Sequence, residues 1–112
     1  MRSKSLIDIL LNQITDHSRA VFGDKLKSVI LYGSYARGDY NEESDIDIMI
    51  MVDMSPEELG KYRWDFSCFC ADLSVENNVL VTSKLQSAML FEKWKNTLPF
   101  YKNVVKDGIV YA

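Results

Sequence analysis

The chain is poor in the residues that punctuate or staple a fold: its 112 residues include two prolines, five glycines, two cysteines and a single histidine. Cys68 and Cys70 have no further cysteines with which to complete a metal cluster. Two positions apart within a helical pattern, they point in different directions, so they are expected to be reduced packing residues of a cytoplasmic protein. Long apolar runs are missing as well, and nothing approaches the roughly 18 residues of a membrane span. The start, Met1 to Lys4, is followed by an apolar stretch broken by polar residues and without a small-residue cleavage site, so no signal peptide is expected. Nor is there an excess of positive charge, with 13 Lys and Arg against 16 Asp and Glu and the cations scattered rather than gathered in a stripe. That balance argues against gripping a long nucleic-acid backbone and suits a small-molecule or protein ligand. Repeats, linkers and low-complexity segments are absent too, and at 47% hydrophobic the chain suffices for one core. Residues 1–112 are expected to form a single domain.

Periodicity orders what is there as helix, strand, helical turn, strand, helix, strand, helix and a short tail. A first helix is expected from near Ser5, with Asp8 completing an approximate capping box and Ile7, Leu10, Leu11, Ile14 and Val21 on one face. His17 falls at the edge of that face and reads as a satisfied core-edge residue rather than a catalytic base, since no partner motif lies nearby. Lys27–Tyr32 and Ile46–Val52 have the length and composition of strands, the second of them buried. Ser55-Pro56 with Glu58 marks a helix start. Leu59, Tyr62, Phe66, Phe69 and Leu73 then step like one long amphipathic helix, with Glu58, Lys61, Asp65 and Asp72 opposite. Asn77-Asn78 turns the chain into a third strand, Val79 to Gln86. A last helix, Ser87 to Thr97, packs Leu90, Phe91 and Trp94 and is ended by Pro99. The tail turns at Lys106-Asp107-Gly108 into strand residues Ile109-Val110-Tyr111. The fold class is α/β (α+β), a small mixed β-sheet of three to four strands flanked by helices.

Gly33-Ser34-Tyr35-Ala36-Arg37-Gly38-Asp39, followed by Ser44-Asp45-Ile46-Asp47-Ile48, carries the chemistry. The strand ending at Tyr32 stops at a Gly-Ser pair: glycine lets the backbone come close to a ligand, and the Ser34 hydroxyl with the amides of a short helix can bind anionic oxygens. Asp45 and Asp47, two positions apart, point to one face of the next strand. Like charges so placed repel unless a cation lies between them. Read alone, Ser34 is a helix cap and an Asp at the mouth of a strand is turn chemistry, with Asn41-Glu42-Glu43-Ser44 a loop. Together, in this order and between two strands, they read as a nucleotide site. Arg37 either neutralises phosphate charge or pairs with Asp39 or Glu42 to fix the loop. Tyr35 carries no assignment.

Gly33-Ser34, ten intervening residues and Asp45-x-Asp47 resemble the signature of the DNA polymerase beta-type nucleotidyltransferase superfamily. The shortness of the chain, the Gly-Ser-x-Ala-Arg-Gly form and the tail from Leu98 through Val110 resemble its minimal nucleotidyltransferase (MNT) branch. The resemblance implies a nucleotidyltransferase-like fold and a Mg2+-dependent transfer of AMP from ATP, with two magnesium ions held by Asp45 and Asp47 and the β- and γ-phosphates by Gly33 and Ser34. It also implies a third carboxylate on a later strand, and here the third strand has no acid. Glu76 and Asp72 come just before it, away from the usual place. The minimal branch works beside a separate HEPN-class partner in toxin–antitoxin pairs, where the nucleotidyltransferase adenylylates a tyrosine of the toxin. The small size and the absence of an acceptor domain agree with such a HEPN toxin partner, and a homodimer or hetero-oligomer is compatible with it. Two other readings stay open: a nucleotide-binding module that inhibits its partner by complex formation, and the nucleotidyltransferase subunit of a small-molecule (aminoglycoside-type) transferase.

Overall fold

The computed structural model describes residues 4–41 and 45–112, so the loop reading at Glu42 to Ser44 lies outside the described residues. Helix α1 (Lys4–Phe22) buries Leu10, Leu11 and Ile14, as their spacing requires. Ser5 lies inside this helix rather than at its cap, which displaces the expected Ser5–Asp8 box. A 3-10 turn at Gly23–Lys25 leads to β1 (Leu26–Tyr32), the single-turn helix α2 (Ser34–Arg37) and β2 (Ile46–Val52).

Helix α3 (Pro56–Leu59) opens with the capping box read from sequence. The Glu58 amide donates to Ser55 Oγ at 3.2 Å and the Ser55 amide to Glu58 Oε1 at 3.2 Å. The expected single long helix is two, because a 3-10 turn at Gly60–Tyr62 separates α3 from α4 (Arg63–Asn77). Glycine is the weakest helix former in this run, and the overwound turn is taken there, with Leu59 and Phe66 buried on either side of it. Asn78, at φ 50°, ends α4. Then come β3 (Val81–Ser87) and α5 (Ala88–Trp94), which Ser87 caps. Pro99 does not end the helical part of the chain. It opens a further helix, α6 (Pro99–Asp107), at the first position, where a missing amide costs nothing and a fixed φ suits the helix. The stretch read as irregular tail is therefore helical up to Asp107, and α5 stops at Trp94 instead of Thr97. Strand β4 (Ile109–Val110) follows where a strand was expected.

The strands form one mixed sheet in the order β3-β2-β1-β4. Antiparallel pairing sets Tyr32 of β1 opposite Asp47 of β2, and Leu31 opposite Ile109 of β4. Strand β3 runs parallel to β2, with Thr82 opposite Asp47, and α3 and α4 supply the crossover that a parallel joint needs. Alternation then gives two faces. Val29, Leu31, Ile46, Ile48, Ile50 and Val52 pack with Leu10 and Ile14 of α1 and Phe66 and Leu73 of α4. Ile30, Met49 and Met51 pack on the other side with Phe91 of α5 and Val104 of α6. Strand β2, covered on both faces, is buried throughout except at Asp47. The outer edge of β3 is closed by side chains: the Val81 amide donates to Ser74 Oγ at 2.9 Å, and Arg63 Nη1 donates to the Leu85 carbonyl at 3.3 Å. No helix among the described residues is long and apolar enough to cross a membrane.

Candidate nucleotide site

The end of β1 and the start of β2 meet at a residue that has to be glycine. Gly33 has φ 77° and ψ −156°, and a Cβ built on it would lie 2.5 Å from Asp47 Oδ2. The bare backbone of the Gly-Ser turn thus lies directly against one carboxylate oxygen. The other oxygen, Oδ1, accepts a hydrogen bond from the Thr82 hydroxyl at 2.9 Å. After Gly33 the chain makes one helical turn, the amides of Ala36 and Arg37 donating to the Gly33 carbonyl at 3.1 Å each, and Gly38 closes it in the left-handed region at φ 83°. Asp45 is exposed immediately before β2, two residues ahead of the half-buried Asp47.

Asp47 belongs to the face of the sheet covered by α5 and α6, since its neighbours Ile46 and Ile48 are in the opposite core. Tyr32 shares that face; burial, and then the charge of Asp47, push its phenol up from 10.0 to about 12, so it is neutral at physiological pH. The Tyr32 ring meets Phe100 of α6 edge-on, with centroids 5.6 Å apart, and the Lys84 ammonium sits 5.4 Å over the Phe100 ring. A cavity of about 190 Å³ opens beside the turn, lined by Tyr32, Gly33, Arg37, Phe100, Asn103 and Asp107 among others.

The structure therefore sets Gly33 against Asp47, with Ser34 next along the chain at the start of α2 and Asp45 exposed just before β2. Arg37 is exposed at the rim, its Nε 3.2 Å from Asp39 Oδ2, which is the loop pairing of the two alternatives; Glu42 lies outside the described residues. Asp72 and Glu76 are not near Asp47. They line a groove with Gln13, Asp16 and His17 where α4 meets α1, and α4 packs on the other face of the sheet. His17 is satisfied, as expected: Nε2 is 2.6 Å from Asp65 Oδ2, and the ring stacks on Phe69 with centroids 4.2 Å apart. Cys68 is exposed and Cys70 buried, both free. Tyr35 is buried and stacks on Tyr40 with centroids 4.3 Å apart.

Sequence reasoning missed Thr82 and the whole of α6. The period of Phe100, Val104 and Asp107 after Pro99 was the available signal for α6. For Thr82 there was none short of the β2–β3 register.

The donor set fits a hard divalent cation. Asp45 and Asp47 offer carboxylate oxygens, and the missing Gly33 side chain is what lets Asp47 Oδ2 lie against the turn. Among the described residues no group of three or more His, Cys, Asp or Glu is placed to hold an ion, so a cation here would complete its shell with water and substrate oxygens.

The sequence matches the family model described as nucleotidyltransferase domain over residues 16–111. It is 35% identical over 100 residues to a protein of Methanocaldococcus jannaschii provisionally named a protein adenylyltransferase, covering 89% of this chain and 92% of that one. The fold is similar to that of a nucleotidyltransferase-like protein from Sulfolobus solfataricus, with TM-score 0.54 and 23% identity over 98% of this chain and 88% of the other. It is also similar to a toxin–antitoxin solved with AMP-PNP, with TM-score 0.53 and 22% identity over 88% of this chain and 69% of the other.

Proposed function

This chain belongs to the nucleotidyltransferase domain family and is a nucleotidyltransferase, and from that premise we propose that it transfers AMP from ATP to a tyrosine hydroxyl of a HEPN-class toxin, acting as its antitoxin in the cytoplasm. The observation that carries the reading is the Asp47 carboxylate held against the bare backbone of Gly33. A protein acceptor is supported by the name of the M. jannaschii relative, and ATP and a toxin partner by the similar toxin–antitoxin solved with AMP-PNP.

In such a transfer the acceptor hydroxyl gives up its proton to water, its oxygen bonds to the α-phosphorus, the bond to the bridging oxygen breaks, and pyrophosphate leaves. Magnesium ions held by Asp45 and Asp47 would supply Lewis-acid stabilisation of that charge. The residues of the chain act by position. Gly33 lets the Asp47 carboxylate lie against the turn, the Ser34 hydroxyl gives the phosphates a hydrogen bond, and Arg37, exposed at the rim, can turn from Asp39 to a more highly charged partner. A neutral Tyr32 adds no negative charge beside Asp47. Phosphoryl-type transfers through loose transition states draw mostly on positioning and electrostatics, which suits a site with no separate base among the described residues.

One observation favours a second reading, a nucleotide-binding module that inhibits its partner by complex formation alone. The β3 residues on the face of Asp47 are Thr82, Lys84 and Gln86, none of them acidic. The two readings separate when ATP labelled at the α-phosphate is incubated with Mg2+ and a HEPN-class protein from the same genome. Label on a partner tyrosine with the wild type, and none with Asp45→Asn plus Asp47→Asn, is the result expected of transfer. An intact complex with no label from either protein would rule out transfer to the partner and favour the second reading.

A further inference from the structure

We propose that Thr82 is the positioning residue of the candidate site: its hydroxyl holds one oxygen of the Asp47 carboxylate and so presents the other to the Gly33 turn. The inference rests on the reading of Asp45 and Asp47 as the cation-holding pair.

The parallel register sets Thr82 directly across from Asp47, and its Oγ1 donates to Oδ1 at 2.9 Å. The second oxygen, Oδ2, is the atom a Gly33 side chain would strike at 2.5 Å. The two carboxylate oxygens therefore have separate tasks: Oδ1 is occupied by the protein, and Oδ2 is turned to the place where the backbone has been kept bare. The terminal torsion of an Asp is broad, so without a partner on Oδ1 the group would sample orientations that turn both oxygens away from the site. Thr82 is suited to prevent this. Branching at Cβ restricts its χ1, so the donor is already ordered on the strand. Being neutral, it also orients Asp47 without cancelling the charge that a cation would be drawn to.

Two consequences follow. Asp47 meets a cation with its carboxylate plane already fixed by the bond on Oδ1, and the affinity of the site depends on a hydroxyl that never touches the cation. Groups that orient a ligating side chain in this way are worth about 10–100-fold in metal affinity when removed. Valine has nearly the shape of threonine and lacks the hydroxyl, whereas serine keeps the hydroxyl and loses only a methyl.

The test is Mn2+ binding to the 112-residue chain in the presence of AMP-PNP, read from the electron paramagnetic resonance signal of free Mn2+, for wild type, Thr82→Val, Thr82→Ser and Thr82→Ala. Urea unfolding of each variant is measured alongside, and Thr82→Ala covers the case in which valine disturbs the sheet. We expect the valine and alanine variants to lose about 10–100-fold in Mn2+ affinity while remaining folded, with serine restoring most of the loss. Wild-type affinity in a folded valine or alanine variant would overturn the inference and leave the cation reading standing. Serine as weak as valine would also overturn it, since shape and not the hydroxyl would then matter. If the wild type itself takes up no more Mn2+ than Asp45→Asn plus Asp47→Asn, the cation reading fails and the inference with it.

Discussion

Gly33→Ala is the most exacting single substitution, because the structure assigns it two separable costs. The backbone at φ 77° and ψ −156° lies in a region nearly reserved to glycine, where a side chain costs about 1–3 kcal/mol. The new methyl would also sit 2.5 Å from Asp47 Oδ2, so the carboxylate must swing away. Swinging gives up the hydrogen bond from Thr82, and a bond to a charged group is worth about 1.5–3 kcal/mol. Asp47 is only half-buried and water recovers part of that loss, so a total of about 2–4 kcal/mol is expected. For a domain near this size that lowers Tm by about 10–25 °C. Gly23→Ala is the control. It too has a positive φ, 55°, but nothing within 4 Å of its Cβ position, so it incurs the backbone cost alone. Thermal unfolding of both variants, with calorimetric titration of AMP-PNP in Mg2+, separates the terms. Gly33→Ala should be the less stable of the two and should bind the nucleotide far more weakly than wild type. Introduced into Asp47→Ala, where the obstructing carboxylate is gone, Gly33→Ala should cost less than in the wild type, leaving only the backbone strain. If Gly33→Ala is no more damaging than Gly23→Ala and binds AMP-PNP normally, the contact with Asp47 has no part in the site.

Tyr32 gives a pH dependence of defined sign. Its folded pKa is raised to about 12 from 10.0, so its contribution is fully present below pH 10.0 and is lost as pH climbs through about 12. Urea midpoints of the wild type should therefore fall more steeply than those of Tyr32→Phe between those values, and parallel curves would contradict the assigned environment. The two thiols should differ as sharply. Cys68 is exposed, whereas Cys70 is buried and its pKa raised by that burial, so a chromogenic disulfide reagent should label Cys68 in the native protein and Cys70 only after unfolding. Rapid labelling of both in native buffer would refute the packing of α4 on β3.

Much of this arrangement was legible in the sequence because it is written locally. Ile46–Val52 is apolar at every position but Asp47, so that carboxylate stands out from the residue pattern alone. A glycine followed by a hydroxyl residue at the end of an apolar strand announces a close backbone approach. What was not legible depends on partners distant in sequence or on residues with two meanings. Pro99 is as suitable for opening a helix as for forbidding its continuation, and only the packing of Tyr101 and Val104 on the sheet decides between them. Gly60 marks a weak point in the helical run, but its low propensity alone does not choose between a 3-10 turn and a continuous helix. Asp72 and Glu76 precede the third strand closely, yet α4 covers the wrong face, so nearness along the chain misleads. Thr82 is an ordinary strand residue until the parallel register sets it against Asp47.

The measurement that bears most directly on the central claim is anomalous scattering from a crystal of the 112-residue chain grown with Mn2+ and AMP-PNP. The account predicts an anomalous peak in coordination contact with Asp47 Oδ2, with Thr82 still on Oδ1 and the phosphates against Gly33 and Ser34. Nucleotide bound elsewhere, or Mn2+ bound away from both Asp45 and Asp47, would contradict it.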